Sequence, residues 1–213
     1  MIGRTRIGVL VSGEGTNLSA LLNTSQVPGY PAQVACVLSN RPSARALEVA
    51  RRSRVTAEAL PVSDFGGDGS SRDAALLERF RSAGVKLVVC AGYDRVLSDT
   101  FLAGFPDAIL NVHPSLLPAF AGDMTAVEAA LAYGVKVSGC TIQLLERGDT
   151  DGGPIVLQAA VPVEPGDDAD SLRERIHQQE WRLLPDAVSL WCQGRLRREG
   201  RRVHVLPATD GVV

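Results

Sequence analysis

Arg6-Ile7-Gly8-Val9-Leu10-Val11-Ser12-Gly13-Glu14-Gly15-Thr16-Asn17 is the stretch that decides the fold. Residues 6–12 form a short apolar run that stops at a glycine-rich turn, which reads as a buried strand. Apolar spacing of helical period then begins at Leu18, so a helix opens over 17–22. Strand, glycine turn and helix in that order make the first step of a parallel crossover. The turn also has a chemical meaning. A glycine-rich loop that runs into a helix N-terminus presents backbone N–H groups and the positive end of the helix dipole, a natural seat for a phosphate. Thr16 and Asn17 stand there as side-chain donors; a plain tight turn with a helix cap is the structural alternative. The pattern GxxxxGK[ST] is missing, so this is not a P-loop. Gly13 and Gly15 give GxG, but Leu18 stands in the third glycine's place. The second strand ends in Ser39-Asn40, where a dinucleotide site places an acid, so a monophosphate fits better than a dinucleotide.

Outward from this stretch the alternation continues. Strands are expected over 32–39, 55–62, 86–91 and 108–112, and helices over 44–52 and 73–83. Gly66-Gly67-Asp68-Gly69-Ser70-Ser71 reads as a flexible loop too short to be a linker. The second half differs. After a helix near 125–133, apolar runs at 136–145 and 154–163 flank a polar, glycine-bearing turn, which predicts an antiparallel extension of the sheet. A long helix follows over 171–191 with its cap region at 168–171, then a strand pair near 195–198 and 202–206 and a frayed end at 209–213. The fold class is therefore α/β, a Rossmann-like doubly wound, mostly parallel sheet extended by antiparallel strands. We expect a single domain over 1–213, with a phosphate-binding half at about 1–107 and a catalytic half at 108–206.

Composition narrows the function. Twenty-four acids against 22 bases leave a net charge of −2, so no global field attracts nucleic acid. The one basic cluster, Arg195, Arg197, Arg198, Arg201 and Arg202, reads as a solvated hairpin. Cys36, Cys90, Cys140 and Cys192 are far apart and form no CxxC pair, so neither zinc nor a disulfide scaffold is expected. Cys36 and Cys90 lie in apolar runs and read as core residues. No apolar stretch approaches the ~18 residues of a membrane span, and no signal peptide is recognisable, so a reducing cytoplasm is the expected location. Oligomeric state is left open between monomer and homodimer.

Ligands in open α/β sheets bind beyond the carboxyl ends of the strands. Among three histidines, His204 alternates with Val203 and Val205 and reads as structural or exposed; His177, in the polar stretch 175–180, reads as solvated. His113 ends a predicted central strand in Asn111-Val112-His113-Pro114-Ser115. Two apart, Asn111 and His113 share one face, and Pro114 turns the chain away. Downstream, Asp149-Thr150-Asp151-Gly152-Gly153-Pro154 brings a carboxylate that could orient His113 and favour its protonated form. No GxSxG elbow marks a nucleophile, so direct transfer through a tetrahedral oxyanion is favoured, with Asn111 and protonated His113 as donors.

The segments VLVSGEGTNL, VLSNR, AGYDRVLS, NVHPSLLPAFAG, GCTIQLL, DTDGGPIVLQ and HQQEWRLLP closely resemble the phosphoribosylglycinamide formyltransferase family, from Ile7 to about Arg198. The resemblance implies formyl transfer from 10-formyltetrahydrofolate to the amine of glycinamide ribonucleotide in purine synthesis, with no metal. It implies catalytic roles for Asn111, His113 and Asp151, and ribonucleotide contacts at Gly15, Thr16, Asn17 and Glu180. It implies a folate side formed by Arg72, Tyr93, Asp94, Arg95, Val96, Leu97 and Asn111. Read without it, Arg72, Arg95 and Glu180 are ordinary surface charges. Two departures stand out. Gln143 occupies a position where the family commonly has a histidine, which leaves His113 as the only imidazole expected in the site. The stretch 122–126 is one residue longer than the usual pattern and lacks its histidine, and reads as a mobile loop or a lid. The alternatives are a related formyltransferase, a formyltetrahydrofolate hydrolase, or a nucleotide-binding module without turnover. With the first strand near residue 6 and about 10 residues after the last, no room is expected for a hydrolase's regulatory domain or a tRNA-binding domain.

Overall fold

The computed structural model describes residues 3–147 and 151–208. Among the described residues, nine strands form one sheet in the order β3-β2-β1-β4-β5-β6-β7-β9-β8. They are β1 (Thr5–Val11), β2 (Ala32–Ser39), β3 (Thr56–Ala59), β4 (Leu87–Cys90), β5 (Ile109–His113), β6 (Val137–Leu144), β7 (Ile155–Pro162), β8 (Leu196–Glu199) and β9 (Arg202–Val205). The first five pair in parallel, and β6 and β7 add in antiparallel fashion. β9 lies parallel to β7 and closes a hairpin with β8. The helices are α1 (Thr16–Thr24), α2 (Arg45–Arg52), α3 (Gly69–Ser82), α4 (Asp99–Gly104), α5 (Ala126–Tyr133) and α6 (Ala169–Cys192).

Both faces of the sheet are covered, which is why β1 and β4 are apolar on successive residues rather than on alternate ones. One core joins Ile7, Val9 and Val11 to α1, α2 and α6; the other joins Leu10 and Val88 to α3 and α4 through Phe80, Phe101 and Phe105. Among the described residues no helix is long and apolar enough to cross a membrane.

The expected alternation is present, with corrections at its edges. The third strand stops at Ala59 and the chain then makes a 3-10 turn over Val62–Phe65, because Pro61 lacks the N–H that a longer ladder needs. The third helix starts four residues before 73. Asp68 accepts the Ser70 and Ser71 N–H groups at 3.0 and 3.1 Å, so part of the supposed flexible loop 66–71 is a capped first turn. Helix α4 was not foreseen; Ser98 caps it by accepting the Phe101 N–H. The long helix is as expected: Asp168 and Ser171 form a reciprocal capping box. Asp149 and Thr150 of the glycine-bearing turn, and the end at 209–213, lie outside the described residues.

Candidate active site

Helix α1 begins immediately after the glycine turn. Gly15 precedes its first residue at φ 83, a left-handed backbone that a glycine adopts without strain. A Cβ there would also meet Ala46 of α2 at 2.8 Å. The turn is therefore pressed onto α2, and the opening of α1 faces a cavity of about 360 Å³. Gly13, Gly15, Thr16 and Asn17 line it on one side, and Arg173, His177 and Glu180 of α6 on another. Asn17 Nδ2 donates to Glu180 Oε2 at 2.8 Å, joining the turn to the long helix. Asn17 Oδ1 is buried and has no partner among the described residues.

Two surface readings are corrected here. Glu180 is 3% exposed, and its burial pushes the carboxyl above the ordinary carboxylate range, opposed by Asn17 and His177. His177 is not on a solvated face. It lines the cavity, stacks on Trp181 with ring centroids 5.9 Å apart, and stands 3.9 Å from Glu180. His113 is thus not the site's only imidazole. The i,i+3 spacing of His177 and Glu180 was the signal that could have found this, since it places both on one helix face.

Val112 and Pro114 also line the cavity and flank His113 at the end of β5. Asp151 brings the central group together. Its Oδ2 lies 3.2 Å from His113 Nδ1, and its Oδ1 accepts from Asn111 Nδ2 at 3.3 Å. Two further donors reach the same carboxylate: Gln143 Nε2 at 2.9 Å and the Gly122 N–H at 3.0 Å. Gln143 can do so because β5 and β6 pair it directly with Asn111. The other imidazole nitrogen, Nε2, lies 3.1 Å from the Phe120 carbonyl. Both ring nitrogens therefore face acceptors, an arrangement that the doubly protonated ring satisfies at both ends. Neither Phe120 nor Gly122 was legible as a partner, because backbone atoms carry no sequence signature. The loop carrying Asp151 is itself held tightly. A Cβ on Gly153 would lie 1.8 Å from the Leu144 carbonyl oxygen, and the Leu144 N–H donates to Pro154 at 2.9 Å.

The remaining expected residues gather at the loop after β4, next to β5 in the sheet, with Arg72 brought there from α3. Arg72 is not a surface residue of a first helical turn. It is 3% exposed, and its Nε and Nη2 both donate to Asp73 Oδ1, while Asp73 Oδ2 accepts the Ser98 N–H at 2.6 Å. Tyr93 is half-buried, and burial pushes its phenol up while Arg72 opposes the shift. Leu97 packs in the core, Arg95 is exposed, and Val96 is 77% exposed. Asp94 pairs with Arg41 and Asn40. Among the described residues no group of three or more His, Cys, Asp or Glu side chains could hold a metal ion.

Comparison with known proteins adds an independent observation. The model of the formyl transferase family matches residues 5–188. A phosphoribosylglycinamide formyltransferase from Mycobacterium tuberculosis is 42% identical over 94% of this chain and 94% of its own length. The crystal structure of glycinamide ribonucleotide transformylase 1 from Symbiobacterium toebii superposes with a TM-score of 0.93 at 47% identity, covering 97% of this chain and 96% of that one. The trifunctional purine biosynthetic protein adenosine-3 of Drosophila melanogaster is 38% identical over 90% of this chain, which spans 14% of that protein's length.

Proposed function

Given that the chain belongs to the formyl transferase family, we propose that it carries the formyl group of 10-formyltetrahydrofolate to the amine of glycinamide ribonucleotide, a step of purine synthesis in the cytoplasm. The observation that carries this reading is the convergence of Asn111 and His113 on Asp151 beside the cavity opened by the glycine turn. In this reading residues 1–107 supply the phosphate seat and 108–206 the catalytic strand. The ribonucleotide phosphate sits over Gly15, Thr16 and Asn17, with Glu180 beneath the rest of the molecule. Folate lies along 93–97 and reaches Asn111, with the buried Arg72, held by Asp73, supporting that side from within.

The amine nitrogen attacks the formyl carbon, and the carbonyl electron pair moves onto oxygen. The Asn111 amide and the His113 Nε2–H donate to that oxyanion. To do so His113 exchanges the Phe120 carbonyl, one acceptor, for another. Asp151, 3.2 Å from Nδ1, keeps the ring aimed, so that its donor points where charge develops. Collapse breaks the bond to the folate nitrogen, which gains a proton as the attacking amine loses one. The proposal needs no metal.

A steady-state assay with 10-formyltetrahydrofolate and glycinamide ribonucleotide tests it. Formylated ribonucleotide and tetrahydrofolate should appear in equal amounts. Formate release at an undiminished rate without the amine would instead identify a hydrolase.

A further inference from the structure

Three neighbouring strands, β2, β1 and β4, end in residues that a buried polar network ties together. Ser12 opens the glycine turn after β1. Its hydroxyl donates to Asn40 Oδ1 at 2.6 Å and accepts the Asp94 N–H at 3.0 Å. Asn40 Nδ2 donates to Asp94 Oδ1 at 2.8 Å, and the Arg41 guanidinium takes the other Asp94 oxygen. The Ser12 N–H donates to the Gly92 carbonyl at 3.0 Å. Ser12 and Asn40 are 5% and 8% exposed. The cavity wall is made instead by the loops above them, Gly13 to Asn17 on one side and Ala91 with Gly92 on the other.

This geometry constrains both loops at once. Asn40 uses its carbonyl toward the turn after β1 and its amide toward the loop after β4, so its orientation is fixed from both sides. The Arg41 contact is exposed, but the side-chain bonds joining Ser12, Asn40 and Asp94 are buried or half-buried, where an unmade hydrogen bond is costly. A displacement of either loop therefore breaks bonds to the other.

We propose that Asn40 is a positioning residue that couples the two substrate loops, so that ribonucleotide at the glycine turn and folate at 93–97 tighten each other's binding. The inference rests on the functional reading above, because it needs both substrates. Coupling of this kind is reciprocal: each ligand must change the affinity of the other by the same factor.

Calorimetric titration of the full chain tests it. Glycinamide ribonucleotide is titrated with and without saturating tetrahydrofolate, which has no formyl group to transfer, and then in the reverse order. In the wild-type chain each ligand should tighten the other by about fivefold or more, the lower end of usual coupling strengths. Asn40→Ala should bring that factor close to one while each ligand still binds alone. Asn40→Asp, which keeps an acceptor for Ser12 but sets two carboxylates together, should do the same and serves if the alanine variant does not fold. A merely structural role would instead weaken each ligand alone, which the separate titrations read. Independent binding in the wild type, or full coupling in both single variants, overturns the inference alone. A wild-type chain that binds neither ligand overturns the functional reading and this inference with it.

Discussion

Replacing Gln143 by methionine isolates the donor that the neighbouring strand lends to Asp151. Gln143 is wholly buried, and its Nε2 donates to Asp151 Oδ1 at 2.9 Å, while its Oε1 has no partner among the described residues. Methionine keeps the length and the unbranched shape and removes both polar atoms. A hydrogen bond to a charged group contributes about 1.5–3 kcal/mol, and a buried acceptor left unpaired costs about 1–3 kcal/mol. The two changes oppose each other, so global stability should move by no more than about 1 kcal/mol. Turnover is not protected by that cancellation. Asp151 keeps Asn111, His113 and the Gly122 N–H, so the loss falls at the lower end of the hydrogen-bond range. At 1.36 kcal/mol per tenfold, kcat should fall about tenfold. Urea unfolding read by tryptophan fluorescence, alongside steady-state formyl transfer, measures both. A loss of turnover equal to that of His113→Ala would refute the reasoning. So would a destabilisation above about 3 kcal/mol, because the unpaired oxygen would then be offsetting nothing.

Other consequences are open to test. His113→Ala and Asp151→Asn should each lower kcat by at least about 100-fold, the range for losing an acid–base group or oxyanion donor; near wild-type turnover in either would remove it from the proposed role. Glu180 has its carboxyl raised by burial. A raised carboxyl contributes stability below the unfolded value of about 4.3 and loses it as pH rises through the folded value. Glu180→Gln should thus match the wild type near pH 4, melt at a higher temperature at neutral pH, and bind ribonucleotide less well; a lower melting temperature than the wild type at neutral pH would contradict this. Burial pushes the Cys36 thiol up to about 11 and those of Cys90 and Cys140 up to about 12. A thiol reagent at neutral pH should therefore label the half-buried Cys192 first in the folded chain and all four after denaturation; early labelling of Cys90 would show that its strand opens.

Much of this was written in the sequence because the elements with both faces buried announce themselves. The run from Ile7 to Val11 could be little else than a central strand, and Asn111 with His113 required only the two-residue repeat to share a face. Asp151 was legible as a partner for His113 through the turn and the family pattern, though not its three other donors. The errors have a common cause. Arg72, His177 and Glu180 were weighed as surface charges, because polarity suggests exposure until tertiary packing supplies a partner. Arg72 has Asp73, and Glu180 has Asn17, 163 residues away along the chain. Helix α4 is only six residues long, too short for a periodic signal, and its cap at Ser98 resembles any loop serine.

Gly153 carries a lesson about inheritance. The Leu144 carbonyl oxygen occupies the place where any other residue would put its first side-chain atom. Even alanine would force the backbone next to Asp151 away from its strand, so a lineage drifting at this codon has no neutral first step. Gly13, by contrast, has open space around it although it belongs to the more conspicuous pattern. In a library that randomised both codons and selected for growth without external purines, 153 should return as glycine while 13 admits small replacements. The glycine that looks like punctuation would be the one that selection refuses to edit.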